Sequence, residues 1–213
     1  MTQHHVSEEM LIAYAAGSLA EPQSLLVATH LALCPVCREA ATGLDAVGGM
    51  LLDRLPPAEL APETLETLLS KLDAPIPAPP PLPPSDSVLP APLRAYVGRD
   101  FESIRWKNAG GDVQEFPLPI PNVEGYSVHL FRIGAGRRIP SHTHDGEELT
   151  LVLAGGFSDE SGHYLRGDVC AADPSVEHRP VADADGACVC LAVTAGKLRF
   201  SGPLGRILTY LRG

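Results

Sequence analysis

At 213 residues the chain has room for one large domain or two small ones. Hydrophobic residues make up 45% of it and aromatics only 5%, so any core is mostly aliphatic. The net charge of −10 argues against direct nucleic-acid binding, which needs a basic face, and with no 18-residue apolar run and a polar N-terminus lacking a basic leader, neither a membrane span nor a signal peptide is expected and the protein reads as cytoplasmic.

Residues 1–73 read as helices. Ser7 is a helix cap, followed by Glu8 and Glu9 at the positive end of the dipole, an apolar face of Met10, Leu11, Tyr14 and Ala15, and Gly17 near the stop. Pro22 suits the first turn of a second helix carrying Leu25, Leu26, Thr29 and Leu33. Pro35 disfavours α geometry at Cys34, so that helix ends and a third begins, running through Leu44, Val47, Leu51 and Leu52 and weakened by Gly43, Gly48 and Gly49. A fourth starts near Pro62, with Leu65, Leu68, Leu69 and Leu72 on one side. This third of the chain holds three basic and ten acidic side chains, a net −7 that suits either solubility or a basic partner.

The junction of the second and third helices carries His30-x3-Cys34-x2-Cys37. His30 sits on the last turn of one helix, and Cys37 falls on the first turn of the next, where the dipole favours a thiolate. One more His from the N-terminal segment, His4 or His5, completes four nitrogen and sulfur ligands, the set a closed tetrahedral zinc site takes. Such a site staples a small helical module with a thin core and leaves no position for chemistry. Five cysteines, two of them in metal spacing, read as ligands plus free thiols in a reducing compartment.

Residues 74–92 contain nine prolines in nineteen positions and read as a semi-rigid spacer with no helix. Beyond it, in residues 93–213, short β-type runs at 127–133, 149–153, 167–171 and 187–193 lie between Gly, Pro and Asp turns. No helical pattern follows until 203–211, so this part reads as all-β, a jelly roll with a short terminal helix. The fold expected is therefore multidomain α+β, a small helical module followed by an all-β barrel.

Within the barrel, Gly136-x5-His142-x-His144-x3-Glu148-x6-Gly155 resembles the first cupin motif at every position. His142 and His144 share one face of a strand, and Glu148 keeps the same parity while Glu147 should point outward. The second cupin motif is matched at Gly167 and His178; Asp173, Ser175 and Ala182 depart from its usual residues. His178 completes a three-His, one-carboxylate set, which holds Zn, Fe, Mn or Ni. His129 and His163 stand outside both sets. Cys188 and Cys190 share a strand face in poor geometry for a disulfide, and read as small buried residues or, alternatively, an oxidant-sensitive pair; Cys170 reads as packing.

The first ligand set, with the Leu11-Ile12-Ala13-Tyr14-x2-Gly17 helix, resembles the zinc-binding anti-sigma domain. Followed by a proline-rich linker and a cupin, it gives the architecture of the ChrR-type anti-sigma factors over nearly the whole chain. That resemblance implies ligands His5, His30, Cys34 and Cys37 in the first site, choosing His5 over His4, and His142, His144, Glu148 and His178 in the second. It implies an extracytoplasmic-function sigma factor bound by residues 1–73, no catalytic residues, and a cupin needed for the response to singlet oxygen and related oxidants. Release would come by weakening the complex or exposing it to a protease. The alternative is a cupin metalloenzyme, an Fe-dependent dioxygenase or isomerase, with the N-terminal module as a tether.

Overall fold

A computed structural model describes residues 2–72, 74–75, 88–98, 100–120 and 125–200. Helix α1 spans Glu8–Ala15, and Met10 N–H donates to the Ser7 hydroxyl at 3.2 Å, so the cap acts as its sequence predicts. Gly17 follows with φ 66°, a left-handed position that ends the helix. Helix α2 spans Glu21–Leu33 with Pro22 in its first turn. Helix α3 spans Pro35–Leu52, running unbroken through its three glycines, and Cys34 is its cap. Helix α4 spans Thr64–Leu72.

The proline-rich segment differs from its reading at the C-terminal end. Residues 76–87 lie outside the described residues, but Ala91–Val97 forms a helix, α5, that the sequence reading missed. Pro92 sits in its first turn, where a missing N–H costs nothing, and Gly98 closes it at φ 68°. Leu93 and Val97, four apart on one face, are buried, and α5 packs on α2. Tyr96 donates its hydroxyl proton to Glu21 at 2.8 Å.

The barrel follows, with eleven strands among the described residues: β1 Lys107–Gly110, β2 Val113–Pro117, β3 Tyr126–Ile133, β4 His142–His144, β5 Glu148–Ala154, β6 Gly156–Ser158, β7 His163–Leu165, β8 Val169–Ala172, β9 Val181–Ala182, β10 Cys188–Ala195 and β11 Leu198–Phe200. The larger sheet runs β1-β2-β3-β10-β5-β8, the smaller β7-β6-β9, and β11 pairs with β4, all antiparallel. The 167–171 run is shorter than its reading, because Gly167 and Asp168 form a turn before β8. The terminal helix expected at 203–211 lies outside the described residues.

The hydrophobic core is shared. Leu25, Leu26 and Val27 of α2 belong to the same buried cluster as Leu130, Leu151 and Leu191 of the barrel, and α2 contacts β5 and β10. The bodies on either side of the proline-rich segment are thus in contact, whatever that segment spans. A second cluster inside the barrel holds Val152, Phe157, Tyr164, Cys170, Cys188 and Cys190.

Candidate metal centres

The α2–α3 junction brings His30, Cys34 and Cys37 together, and the segment before α1 delivers His5. Their ligand atoms all lie within 4.8 Å of one another. His5 Nδ1 is 3.3 Å from Cys34 Sγ and 3.4 Å from Cys37 Sγ. A tetrahedral zinc with ordinary Zn–S and Zn–N bonds sets its S and N ligands about 3.5 Å apart, so these residues fit a zinc ion.

The tautomer of His30 supports the same fit. Its Nδ1 lies 2.8 Å from the Gly167 carbonyl oxygen, which only accepts, so Nδ1 carries the proton. Nε2 then bears a lone pair, is fully buried and has no hydrogen-bond partner among the described residues. A buried acceptor of that kind costs stability unless a cation or donor meets it. Burial also depresses the basicity of His30, which keeps the imidazole neutral as a ligand requires. Cys37 departs from its sequence reading. Without an ion, burial and the adjacent Cys34 sulfur push its thiol up to about 11, outweighing the helix dipole.

His4 and His5 part company. His4 turns to the barrel, its ring 4.5 Å from that of Tyr164, and His5 turns to the cysteines.

The second set gathers on the barrel interior. His142 and His144 are buried on one face of β4 while Thr143 between them is not. Glu148 opens β5, and Glu147 is exposed, as its parity predicts. His178 lies between β8 and β9 and is held to His142 by reciprocal backbone hydrogen bonds of 3.2 Å. All four ligand atoms lie within 4.8 Å of one another.

The hydrogen bonds around this set again fix lone pairs inward. His142 Nδ1–H donates to the Pro140 carbonyl at 2.8 Å, and His178 Nδ1–H donates to Asp159 at 3.1 Å. Both Nε2 atoms are left as acceptors, facing each other at 3.0 Å. Two lone pairs at that distance repel unless a cation sits between them. His144 Nε2 lies 3.4 Å from His178 Nε2 and 3.3 Å from Glu148 Oε2. Thr194 donates to the other Glu148 oxygen at 3.1 Å, which steers Oε2 to the histidines.

Charge follows geometry. Burial alone would raise Glu148, but the hydrogen bond and charge of His144, with His142 and His178, hold it below the usual carboxylate range. Burial depresses His142. Burial is the largest influence on His178 and acts the same way, yet the hydrogen bond to Asp159 together with the charges of Glu148, Asp159 and Glu160 overcomes it, and the net shift is upward. Asp159 is the residue the sequence reading missed; it lies nineteen positions from His178, at no motif spacing. Cys170 Sγ is 3.8 Å from Asp159, and burial pushes that thiol up to about 12. Cys188 and Cys190 are buried in the barrel interior, in keeping with their reading as packing residues.

A family profile described as the ChrR cupin-like domain matches residues 95–198. Over 207 residues, 97% of this chain and 96% of the relative, the sequence is 44% identical to the anti-sigma-E factor ChrR of Cereibacter sphaeroides. The chain belongs to the ChrR family. Its fold also matches the crystal structure of Rhodobacter sphaeroides SigE in complex with the anti-sigma ChrR, at a TM-score of 0.80 and 43% identity, covering 91% of this chain and 99% of the matched one. The division expected of a ChrR-type chain, helices first and then a cupin, is the one observed.

Proposed function

We propose that this chain is an anti-sigma factor whose helical half binds an extracytoplasmic-function sigma factor and covers its polymerase-binding surface. The observation that carries this reading is an unsatisfied apolar face. Val47, Met50, Leu51 and Leu52 at the end of α3, Leu55 and Leu60 after it, and Leu65, Leu68, Leu69 and Leu72 on α4 are all 53–76% exposed. Single exposed apolar residues are ordinary, but ten over twenty-six residues, on the end of α3, the segment after it and α4, form a contact surface. The amphipathic helices suit a partner groove, read by anchors at helical spacing. The surrounding net charge of −7 in residues 1–73 complements a basic partner. Membership in a family with an anti-sigma-E factor supports the same assignment.

In this reading the first site holds zinc and keeps α1, α2 and α3 in one arrangement. The cupin holds a divalent metal, zinc or else Fe, Mn or Ni, and senses singlet oxygen or a related oxidant in the cytoplasm. When bound there, a metal supplies a Lewis-acid centre with exchangeable positions. The chain's own residues do the rest: Asp159 and Pro140 hold two imidazoles in the ligating tautomer, and Thr194 aims Glu148. A change at that centre loosens the grip on the sigma factor or opens the complex to a protease.

The test is co-expression with an extracytoplasmic-function sigma factor from the same genome, followed by purification on a tag carried by the sigma factor. A one-to-one, zinc-containing complex that fails to bind core RNA polymerase is expected. A folded, metal-loaded chain that captures no such sigma factor would overturn the proposal. Oxygen uptake by the iron-loaded chain with dicarbonyl substrates would then decide for the enzyme alternative.

A further inference from the structure

The first metal site is built by both halves of the molecule. Three of its surroundings come from one stretch of the barrel, Gly167, Asp168 and the first residue of β8, Val169. The Gly167 carbonyl fixes the His30 tautomer through the 2.8 Å bond from Nδ1. Asp168, only 2% exposed, accepts from Gln3 N–H at 2.6 Å and His4 N–H at 3.0 Å through one oxygen, and from Leu165 N–H at 2.9 Å through the other. Val169 N–H donates to the His4 carbonyl at 3.1 Å, so residues 3 and 4 lie along the start of β8 like an added strand. His5, the next residue, is thereby aimed at Cys34 and Cys37.

Gly167 is needed where it stands. It has φ 95°, and a Cβ there would sit 3.1 Å from the Thr2 hydroxyl and 3.6 Å from Leu33 Cβ. The motif glycine of the barrel is thus also a point of close approach by the helical half. The same strand leads on to the second site: Cys170 follows Val169, its sulfur reaches Asp159, and Asp159 holds His178.

We propose that Asp168 is a positioning residue for the first metal site, holding the residue 2–5 strap on the barrel so that His5 and His30 are set for zinc. The cupin is then a structural part of the zinc site, and the two metal centres are joined through β8. This rests on the reading of His5, His30, Cys34 and Cys37 as metal ligands.

The experiment uses the full-length chain loaded with Co²⁺. Cobalt bound to thiolate gives a sulfur-to-metal charge-transfer band; Cys170→Ser, carried in every sample, removes the thiol beside Asp159 and His178, so the band reports the first site. Its decay is followed after addition of EDTA. Asp168→Ala should lose the band about tenfold faster or more, within the 10–100-fold range of a removed supporting residue. Asp168→Asn, which keeps one acceptor oxygen for the strap, should fall between. Gln3→Pro removes the N–H of the 2.6 Å bond without touching the barrel, and should also lose the band faster. Gln3→Pro decaying at the rate of the Cys170→Ser parent would overturn the proposal, even if Asp168→Ala decays fast, because the aspartate would then act only by damaging the barrel. Absence of the band in that parent would overturn the ligand reading and this proposal with it.

Discussion

The two halves of the molecule solve the problem of apolar surface in opposite ways. The barrel hides nearly all of it: Leu130, Leu151, Val152, Leu153 and Leu191 are fully buried. The helical half stacks α2 on the barrel and then lets α3 and α4 carry bare leucines into solvent. A sheet closed on itself has an inside; short helices in a row do not, and need a metal, a neighbour or a partner to finish their core. The contrast teaches where each half is complete. The barrel closes one cluster inside itself and the other against α2, whereas α3 and α4 are complete only in company.

The strongest break in that contrast is at the zinc staple. Cys34→Ala removes a buried ligand, and structural zinc in small modules contributes on the order of 10–16 kcal/mol. It should release one equivalent of zinc and much of the helical circular dichroism while leaving the β signal; a variant with full helicity and full sigma-factor binding would sink the staple. Metal uptake at this site should also depend steeply on pH. Both sulfurs bind as thiolates, and Cys37 stands at about 11 when no ion is present. Below the thiol range each unit of rising pH removes proton competition, so affinity rises, by up to about a hundredfold per unit for two thiols. A zinc competition titration between pH 6 and 8 measures the slope, and a flat profile would mean the sulfurs are not ligands.

Core and face can be set against each other directly. Leu151→Ala should cost about 2–5 kcal/mol in denaturant unfolding, because it opens a cavity. Leu69→Ala, at 53% exposure, should stay within about 0.5 kcal/mol yet weaken sigma-factor binding tenfold or more. Equal stability losses at the two positions would erase the distinction. Asp159→Asn should lower metal affinity of the barrel about 10–100-fold and leave the first site filled, as metal analysis after dialysis would report. A small effect belongs to Tyr96→Phe, which deletes one exposed bond to Glu21 and should cost at most about 0.5–1.5 kcal/mol in denaturant unfolding.

Much of this was legible in the sequence because the chemistry is local. The His142, His144 and Glu148 parity needs only a strand, and the His30, Cys34 and Cys37 spacing needs only a helix stop at Pro35. Where the reading went astray, a local rule was applied too broadly. Pro90 and Pro92 read as the end of a spacer with no helix, although a proline in the first turn starts a helix, as Pro92 does in α5. The dipole at Cys37 was given more weight than burial. What could not be read is tertiary. Asp168 meets Gln3 from 165 positions away, Asp159 meets His178 across a loop, and the adjacent His4 and His5 differ only in which way the backbone turns them.

Helix α2 has one more consequence. Its Leu26 and Val27 have no exposed surface, because the helix is walled by α1, α3 and α5 on its own side and by β5 and β10 on the other. Any movement that parts the two halves must therefore wet this helix, and wetting apolar surface raises the heat capacity. The cohesion of the molecule is then a thermal quantity, weakening toward low temperature as the hydrophobic effect fades. A chilled sample is where the halves should come apart with least provocation.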